Sequence, residues 1–376
     1  MVLQDEKKNA WKTVIFFCII MLTLFVADLI QEDIFFSESE NRILAEKPEF
    51  SLETFFSGEF SEKYEAYLND QFVSRNNWIT LKTEIDRLLQ KKEINGVYLA
   101  DDGYLIEQHL DSDFTQETMN KKLELLSNLV QQYPQTQVML APTADNILTE
   151  KLPFQAPYFD QRQFLTRVKE TIGEERVIDL FPTLSAHAQE DIYYKTDHHW
   201  TSRGAYYAYL EWANKNEFVP AEYSLDTMQA VTNDFTGTLQ SKINLPVKSE
   251  KIHIFPETLE YPVKLKYDMM IETESFYEEK YLTGKNKYGY FLDDNHGLIE
   301  ITTGSKVKKQ LFVIKDSYAN SLIPLLAPHY EKIYVLDLRY FNGKLFPFME
   351  SLDEYGNMDV LVLYNFIHFI DDFKYF

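Results

Sequence analysis

The sequence is poor in cysteine and glycine. Cys18 is the only cysteine among 376 residues, and it lies inside an apolar N-terminal stretch. The remaining chain therefore cannot form an internal disulfide or a cysteine-based zinc site. Glycine is scarce at 12 residues, whereas Phe and Tyr are abundant at 28 and 25. Most of these rings are expected in a core. The alternative is a cleft lined by Tyr and Trp, whose flat faces and polar edges suit sugar rings.

Basic residues are also few. The chain has 37 basic residues against 59 acidic ones, which gives a formal net charge of −22. Such a surface repels phosphate backbones, and no Lys/Arg-rich patch overcomes that repulsion, so the composition argues against nucleic-acid binding. Hydrophobic residues make up 45% of the chain, which is enough for a large buried core.

The N-terminal segment has the composition of a membrane span. Residues 14–27 carry no charge, and extending the run to residues 11–30 gives the roughly 20 residues that a span needs. Lys7, Lys8 and Lys12 lie before or at the start of this run, which predicts a cytoplasmic N-terminus and an extracytoplasmic C-terminus. No clear cleavage site follows, so an uncleaved single-pass anchor is favoured over a signal peptide. A buried helix is disfavoured because the run is apolar all round.

The chain is predicted to have three segments. Residues 1–31 form a cytoplasmic tip and membrane anchor, residues 32–60 a stalk, and residues 61–376 an extracytoplasmic α/β domain. Short apolar runs such as residues 311–314 alternate with helical patterns, which predicts a mostly parallel sheet flanked by helices. Residues 228–305 have little helical period and are predicted to form a β-rich insertion.

The first candidate chemical segment runs from Tyr193 to Thr201. If its backbone is extended, Asp197 and His199 lie on one side and His198 on the other. A carboxylate two residues from an imidazole can hold it through Nδ1 and leave Nε2 free as a base. We therefore expect His199 to be the base and Asp197 to orient it. The alternative is that the two adjacent histidines only pack or form hydrogen bonds.

The second candidate segment places Ser317 where a buried strand turns into a helix. A hydroxyl there lies at the carboxyl end of the sheet, where open α/β proteins place their ligands. The helix start offers backbone N–H groups, especially that of Tyr318, to a developing oxyanion. The alternative for Ser317 is a plain helix N-cap. A serine at such a turn together with an Asp-x-His pair is what acyl transfer requires, so we expect Ser317 to be the nucleophile.

The block Thr196-Asp197-His198-His199-Trp200-Thr201, with Gly204-Ala205-Tyr206-Tyr207-Ala208-Tyr209 after it, resembles the signature of the DHHW protein family. The resemblance covers nearly the whole chain beyond the anchor. Its further blocks are Glu40-Asn41-Arg42, Asp70-Gln71-Phe72 with Arg75, Ala141-Pro142-Thr143 with Leu152-Pro153, Phe235-Thr236-Gly237-Thr238-Leu239, Lys315-Asp316-Ser317-Tyr318-Ala319-Asn320 and Asp337-Leu338-Arg339-Tyr340.

This resemblance implies an SGNH-hydrolase-like fold related to the alginate O-acetyltransferase proteins of bacterial envelopes. It also implies that Ser317 is the nucleophile, His199 the general base and Asp197 its orienter, although the Asp-His pair precedes the serine. Lys315-Asp316-Ser317 stands where Gly-Asp-Ser is common in the superfamily, which puts the oxyanion arrangement in doubt. Arg339 can bind an oxyanion or substrate, or pair with an acid such as Asp337. The candidates for oxyanion or substrate binding are Tyr318, Asn320, Arg339, His198 and Trp200.

The leading functional hypothesis is a membrane-anchored envelope O-acyltransferase or acylesterase with no cofactor and no metal. It would act on acetyl groups of a cell-surface polysaccharide. The family context implies a multi-span membrane acyltransferase as acetyl donor.

Two alternatives stay open at this point. An Asp-His-His run also occurs in metal-dependent phosphoesterases, although the further Asp-rich motifs of a two-metal site are missing. A non-catalytic envelope protein that binds polysaccharide or assists assembly can retain the fold without the chemistry.

Overall fold

A computed structural model describes residues 2–37, 42–221, 223–256, 262–352 and 358–375. Glu40 and Asn41 of the stalk motif lie outside the described residues. The chain divides into two compact units: Met1–Gln90 with Ile243–Leu245, and Lys91–Lys242 with Pro246–Phe376. The predicted boundaries at residues 31 and 60 both fall within the first unit and stay predictions.

The first unit is mainly helical. Two of its helices, over Glu59–Gln71 and Arg75–Leu88, are separated by a break where Ser74 adopts a left-handed φ of 56°. The backbone cannot continue a right-handed helix through such a residue. The elements are α1 (Val2–Ile30), β1 (Phe36–Ser37), β2 (Arg42–Ile43), α2 (Leu52–Ser57), α3 (Glu59–Gln71) and α4 (Arg75–Leu88).

Helix α1 contains the predicted apolar run. Its segment Asn9–Ile30 is 22 residues long and apolar enough to cross a membrane. Large side chains such as Phe16 and Phe17 are exposed along it, as is Cys18. A helix of this kind is typical of a membrane anchor or of a signal sequence.

The Asp70-Gln71 pair organises the segment that follows α1. The Gln71 side chain accepts the Ile34 N–H at 2.9 Å and donates to the Ile34 and Ala45 carbonyls at 3.0 and 3.1 Å. The Asp70 carboxylate accepts the Ala45 N–H at 2.9 Å. Both side chains thus satisfy backbone groups of a segment with little regular structure, as buried backbone requires.

The second unit contains the alternating strands and helices. In chain order its strands are β3 (Glu93–Ile94), β4 (Val97–Leu99), β5 (Leu105–Glu107), β6 (Thr136–Ala141), β7 (Gln229–Phe235), β8 (Glu250–Ile254), β9 (Lys264–Tyr267), β10 (Ile271–Thr273), β11 (Leu298–Thr302), β12 (Gln310–Lys315), β13 (Lys332–Leu336) and β14 (Met358–Asn365). Its helices are α5 (Gln116–Gln132), α6 (Ala144–Ile147), α7 (Gln161–Ile172), α8 (Phe181–Ala186), α9 (Ser202–Lys215), α10 (Thr238–Ile243), α11 (Ile323–Leu326), α12 (Leu345–Leu352) and α13 (Phe366–Asp372).

The main sheet is mixed, which corrects the prediction of a mostly parallel sheet. Its seven strands lie in the order β10-β9-β11-β13-β12-β14-β6. The last four are parallel, whereas β10, β9, β11 and β13 pair antiparallel in succession. Strands β9 to β11 come from residues 228–305, so most of that β-rich segment extends the sheet, while β7 and β8 form a separate hairpin.

The parallel and antiparallel halves of the sheet differ in the burial pattern along their strands. Strands β12 and β14 are buried almost throughout, as parallel strands covered on both faces are. Strand β9 alternates buried and more exposed positions, as antiparallel strands with one solvated face do. Beyond β6, Val177 makes an isolated parallel bridge to Val138.

Three parallel strands end at one edge of the sheet. Ser317 follows β12, Asn365 ends β14, and Thr143 follows β6. Carboxyl ends of neighbouring parallel strands are where open α/β folds bind ligands. The chain after β12 was expected to be one helix, but it forms a 3-10 turn at Ser317–Ser321 before α11.

A buried ion pair behind this edge gives a stability prediction. Lys315 Nζ lies 3.3 Å from Asp337 Oδ2, and both side chains are fully buried. Asp337→Ala leaves the Lys315 ammonium without its counter-charge, so we expect a loss of about 3–5 kcal/mol in the free energy of unfolding. Urea unfolding of the full chain in detergent, followed by circular dichroism, measures it.

The matched control removes an exposed pair. Glu331 lies beside Lys308, whose side chain is 78% exposed, so Glu331→Ala is expected to cost about 1 kcal/mol or less. Equal losses in the two variants would contradict the assigned role of the buried pair.

Candidate active site

Ser317 lies at a turn that Asp316 caps. The Asp316 carboxylate accepts the Tyr318 N–H at 3.0 Å, and Asp316 is the N-cap of the 3-10 turn. The Asp316 N–H donates to the Leu363 carbonyl of the neighbouring strand at 3.2 Å. The hydroxyl of Ser317 is therefore not used as a helix cap, which removes the plain N-cap alternative.

Asp197 and His199 are paired by a tight turn rather than by extended backbone. Residues 195–199 bend between the bridged residues Tyr193 and Trp200. The Asp197 Oδ1 accepts the His199 N–H at 3.1 Å and lies 2.5 Å from His199 Nδ1. The expected extended geometry is wrong, because an Asx turn can fold the carboxylate back onto the second following residue. The pairing itself is the one that the spacing predicted.

The structure brings His199 to Ser317. His199 Nε2 lies 2.8 Å from Ser317 Oγ, although the two residues are 118 positions apart. All three side chains of Asp197, His199 and Ser317 belong to buried residues. With Nδ1–H donated to the carboxylate, Nε2 is left to accept the hydroxyl proton, an arrangement that can activate a serine toward an acyl ester.

Thr238 supports the other oxygen of Asp197. Asp197 Oδ2 accepts the Thr238 N–H at 2.8 Å and the Thr238 hydroxyl at 3.1 Å. Burial alone would raise the pKa of Asp197, but the neighbouring His198 and His199 and the Thr238 hydrogen bond outweigh it and hold that pKa well below its usual value. The carboxylate is therefore ionised at neutral pH and can stabilise a positive imidazole.

Tyr288 fixes the plane of the His199 ring and was missed by the sequence reasoning. Its ring stacks on His199 with centroids 3.8 Å apart and planes 13° apart. The Tyr288 hydroxyl donates to the Ser317 carbonyl at 3.3 Å. Burial raises the pKa of Tyr288, so the phenol stays neutral. The local sequence of residues 287–290 contains no pattern that identifies Tyr288 as a site residue.

The predicted oxyanion donor at Tyr318 is already occupied. Its N–H donates to Asp316, so that group is not free for a ligand. In the described residues, no acceptor is seen for the backbone N–H of Ser317 itself. Trp200 is fully buried and donates its indole N–H to the Tyr318 carbonyl at 2.9 Å. It holds the turn in place rather than facing a substrate, which corrects the predicted ligand contact.

Asn320 and Arg339 also have partners inside the protein. Asn320 is fully buried, donates to the Asp294 carbonyl at 2.9 Å and accepts from Lys315 Nζ at 3.0 Å. Arg339 forms two hydrogen bonds with the Asp337 carboxylate, at 2.9 and 2.7 Å. The structure therefore has the salt bridge that was the alternative for Arg339. Neither residue lines the cavity beside the Ser317 turn.

His198 lines a cavity of about 300 Å³ beside the Ser317 turn, together with Asp197 and Tyr318. His198 Nδ1 lies 2.9 Å from the Thr238 hydroxyl, and burial together with His199 lowers the pKa of His198, so its ring is neutral at pH 7. The other residues of the cavity wall are Glu107, His109, Asp113, Phe114, Thr143, Ala144, Leu239, Asn365, Ile367, His368 and Asp371.

Asp316 connects the Ser317 turn to this cavity. Its Oδ2 accepts the Asn365 N–H at 3.1 Å and lies 2.9 Å from His368 Nδ1. Asn365 in turn caps α13 by accepting the His368 N–H at 2.8 Å. Asn365 could have been found from sequence, since it follows a predicted buried strand. His109 and His368 carried no comparable signal.

The described residues contain one cluster that could hold a metal ion. Its possible ligand atoms lie within 4.8 Å of one another and belong to Asp197, His198 and His199. Both Asp197 oxygens and both His199 nitrogens already have hydrogen-bond partners in the protein. A metal ion there would have to break the contact to Ser317, and a two-metal site needs further carboxylates that this group lacks. The phosphoesterase hypothesis therefore has little support in the geometry.

Comparison with known proteins confirms the resemblance predicted from the motifs. The DHHW protein family profile matches residues 164–336, a region that contains Asp197, His199 and Ser317. No curated protein matches the chain.

Two solved structures share the fold. A DHHW family protein from Eubacterium siraeum DSM 15702 is 20% identical with a TM-score of 0.61, over 74% of this chain and 93% of that chain. PatB1 of Bacillus cereus, determined with a sulfonyl adduct, is 22% identical with a TM-score of 0.59, over 75% of this chain and 100% of that chain.

Gly237 provides a test of how closely Asp197 is positioned. A Cβ atom at Gly237 would lie 2.2 Å from the Asp197 Cβ, so Gly237→Ala must displace the carboxylate. Misplacement by about 1 Å can cost on the order of 100-fold, and we expect labelling of Ser317 by an arylsulfonyl fluoride to slow by at least about tenfold. Intact-protein mass spectrometry measures the rate.

Gly284→Ala is the matched control, because only the Tyr281 carbonyl lies within reach of a Cβ there, at 4.0 Å, and its φ of −97° suits alanine. Both variants should retain the native circular dichroism spectrum. An unchanged labelling rate in a folded Gly237→Ala variant would contradict the positioning role of this glycine.

Proposed function

We propose that this chain is a membrane-anchored, extracytoplasmic serine O-acyltransferase or acylesterase that acts on acetyl groups of a cell-surface polysaccharide. The observation that carries the proposal is the continuous hydrogen-bonded line from Asp197 through His199 to Ser317, with contacts of 2.5 and 2.8 Å. A buried carboxylate, an imidazole and a hydroxyl in this order are the groups that acyl transfer through a serine ester needs.

The proposed reaction begins when His199 Nε2 accepts the proton of Ser317 Oγ. The oxygen attacks the acetyl carbonyl carbon, and the bond to the leaving alcohol breaks as His199 returns the proton to that alcohol. A second alcohol, or water, then gives its proton to His199 and attacks the acetyl-serine. The acyl–Oγ bond breaks, and Ser317 recovers its proton. A sugar hydroxyl as acceptor gives a transferase, and water gives an esterase.

The oxyanion of each tetrahedral intermediate requires donors close to Ser317 Oγ. The Tyr318 N–H is occupied by Asp316, so we assign the first donor to the N–H of Ser317 itself. Asp316 supports this role indirectly, because it caps the turn that sets the direction of that N–H.

The similarity to PatB1 agrees with this proposal, since that structure carries a sulfonyl adduct. Sulfonyl reagents modify activated hydroxyls of the kind that Ser317 presents. The apolar helix Asn9–Ile30, preceded by Lys7 and Lys8, fits a single-pass anchor with the α/β unit outside the membrane. The acetyl donor would then be a separate multi-span membrane acyltransferase.

The second candidate is a non-catalytic protein that binds envelope polysaccharide or assists assembly. The observation in its favour is that the Tyr318 N–H is already bonded, which leaves fewer backbone donors for an oxyanion. It predicts polysaccharide binding without turnover, and the next experiment separates the two candidates.

Replacement of Ser317 tests the nucleophile. The full chain in detergent should hydrolyse 4-nitrophenyl acetate, and Ser317→Ala should lower kcat/KM by at least about 1000-fold, because the covalent step is lost. Ser351→Ala, which removes an exposed serine, should behave as the wild type. Equal turnover by the wild type and Ser317→Ala would refute the proposed chemistry and leave the binding role.

Cysteine labelling tests the orientation of the anchor. In a Cys18→Ala background, Ser351→Cys should react with a membrane-impermeant maleimide on intact cells, because the proposal puts that residue outside. Gln4→Cys should react only after the cells are permeabilised. If Gln4→Cys but not Ser351→Cys is labelled on intact cells, the orientation is the opposite of the proposed one. Cleavage of the N-terminus would be seen as loss of the residue 4 peptide.

A further inference from the structure

The cavity beside Ser317 has an acidic wall. Glu107, Asp113 and Asp371 line it in addition to Asp197. Glu107 is paired with Lys242, and Asp113 accepts the Leu110 N–H at 2.8 Å. In the described part of the chain, the Asp371 carboxylate has no hydrogen-bond partner. Asp371 is therefore an exposed carboxylate that is available to a ligand in the cavity.

Two histidines of the cavity, His109 and His368, lie against carboxylates. His109 Nδ1 lies 3.0 Å from Asp145 Oδ2, and His109 Nε2 lies 3.6 Å from Glu107 Oε2. His368 lies against Asp316. Burial opposes the charge of both rings, but these carboxylates outweigh it and raise the pKa of His109 and of His368. Both ring nitrogens of His109 therefore lie against carboxylates, whereas His368 Nε2 has no partner among the described residues and can contact a ligand. Because each ring is paired with a carboxylate, the two histidines give the cavity no net positive charge.

The rest of the wall suits a sugar ring. Phe114, Leu239 and Ile367 supply apolar surface on the same cavity that carries the polar groups. A sugar has flat C–H faces and a rim of hydroxyls that both donate and accept, so it needs such a mixed wall. A volume of about 300 Å³ lies at the small end of ligand sites, which suits one sugar residue of a longer chain.

We propose that this cavity binds the acceptor sugar, and that its acidic wall selects a sugar that is uncharged or carries an amino group and disfavours a uronic acid. This inference rests on the proposed acyl transfer and names the acceptor class for it. The acceptor hydroxyl gives its proton to His199 and bonds to the acetyl carbon of acetyl-Ser317. The bond from that carbon to Oγ then breaks, and Oγ takes the proton.

Charge discriminates between these acceptors because the Asp371 carboxylate lines the cavity and has no hydrogen-bond partner among the described residues. A uronate in the cavity would face the Asp371 carboxylate, whereas an ammonium group could pair with it. One such like charge at the edge of a protein is expected to cost about tenfold in affinity. The net charge of −22 adds repulsion of a uronate polymer at longer range.

The experiment compares three oligosaccharides of equal length on the full chain in detergent. The acceptors are the pentamers of N-acetylglucosamine, of glucosamine and of galacturonic acid, with 4-nitrophenyl acetate as donor. Mass spectrometry of the O-acetylated pentamers gives the transfer rates. Isothermal titration of the Ser317→Ala chain with the same pentamers gives affinities that do not depend on turnover.

We expect the neutral and amino pentamers to be acetylated, and bound, at least about tenfold better than the galacturonate pentamer. Asp371→Asn should reduce the discrimination against the galacturonate pentamer by severalfold. It should also weaken binding of the glucosamine pentamer. Asp372→Asn is the matched control, since the adjacent Asp372 does not line the cavity, and it should keep the wild-type ranking.

Several outcomes would overturn the inference. They are a galacturonate pentamer that binds as well as the others, an Asp371→Asn effect no larger than that of Asp372→Asn, and donor hydrolysis without binding of any pentamer. Failure of the proposed acyl transfer looks different, because nitrophenol release would then be the same in the wild type and Ser317→Ala, whatever the titrations give.

Discussion

The proposed chemistry depends on one hydrogen bond, 2.8 Å long, between His199 Nε2 and Ser317 Oγ. The two residues come from different parts of the chain, so several unrelated contacts must hold for it to form. Thr238 and the close approach of Gly237 fix the Asp197 carboxylate, and Asp197 fixes His199. Tyr288 covers the imidazole face and reaches the Ser317 carbonyl. A long-range pair held from three sides in this way is preorganised, which is where much of the advantage of an active site arises.

Asp316 and Lys315, at the end of β12, have different structural roles. Asp316 caps the Ser317 turn and binds Asn365 and His368 at the end of the neighbouring strand, so one carboxylate joins the Ser317 turn to the cavity. The Lys315 ammonium is buried against Asp337, Asn295 and Asn320. The lysine therefore stabilises the region behind the turn and leaves the Ser317 N–H unobstructed.

Local sequence was sufficient for some parts of the site and not for others. Asp197, His199 and Ser317 could be selected because each lies in a short motif whose geometry follows from neighbouring residues. Tyr288, His109 and His368 could not, because they reach the site through tertiary packing that no local period encodes. Arg339 was ambiguous for the same reason: only the fold decides whether its guanidinium meets Asp337 or a ligand. The parallel half of the sheet was predictable from apolar runs, whereas β9 to β11 are short, partly solvated strands whose pairing depends on distant residues.

The most direct test of the central claim is to isolate the covalent intermediate. The full chain is mixed with 4-nitrophenyl acetate, quenched in acid within the first turnovers and digested, and the peptide that contains Ser317 is sequenced by mass spectrometry. The proposed mechanism predicts an acetyl group on the Ser317 oxygen that accumulates with the burst of nitrophenol and disappears when an acceptor is added. A burst of nitrophenol with an unmodified Ser317, or acetyl groups spread over surface lysines and tyrosines at the same rate, would contradict it.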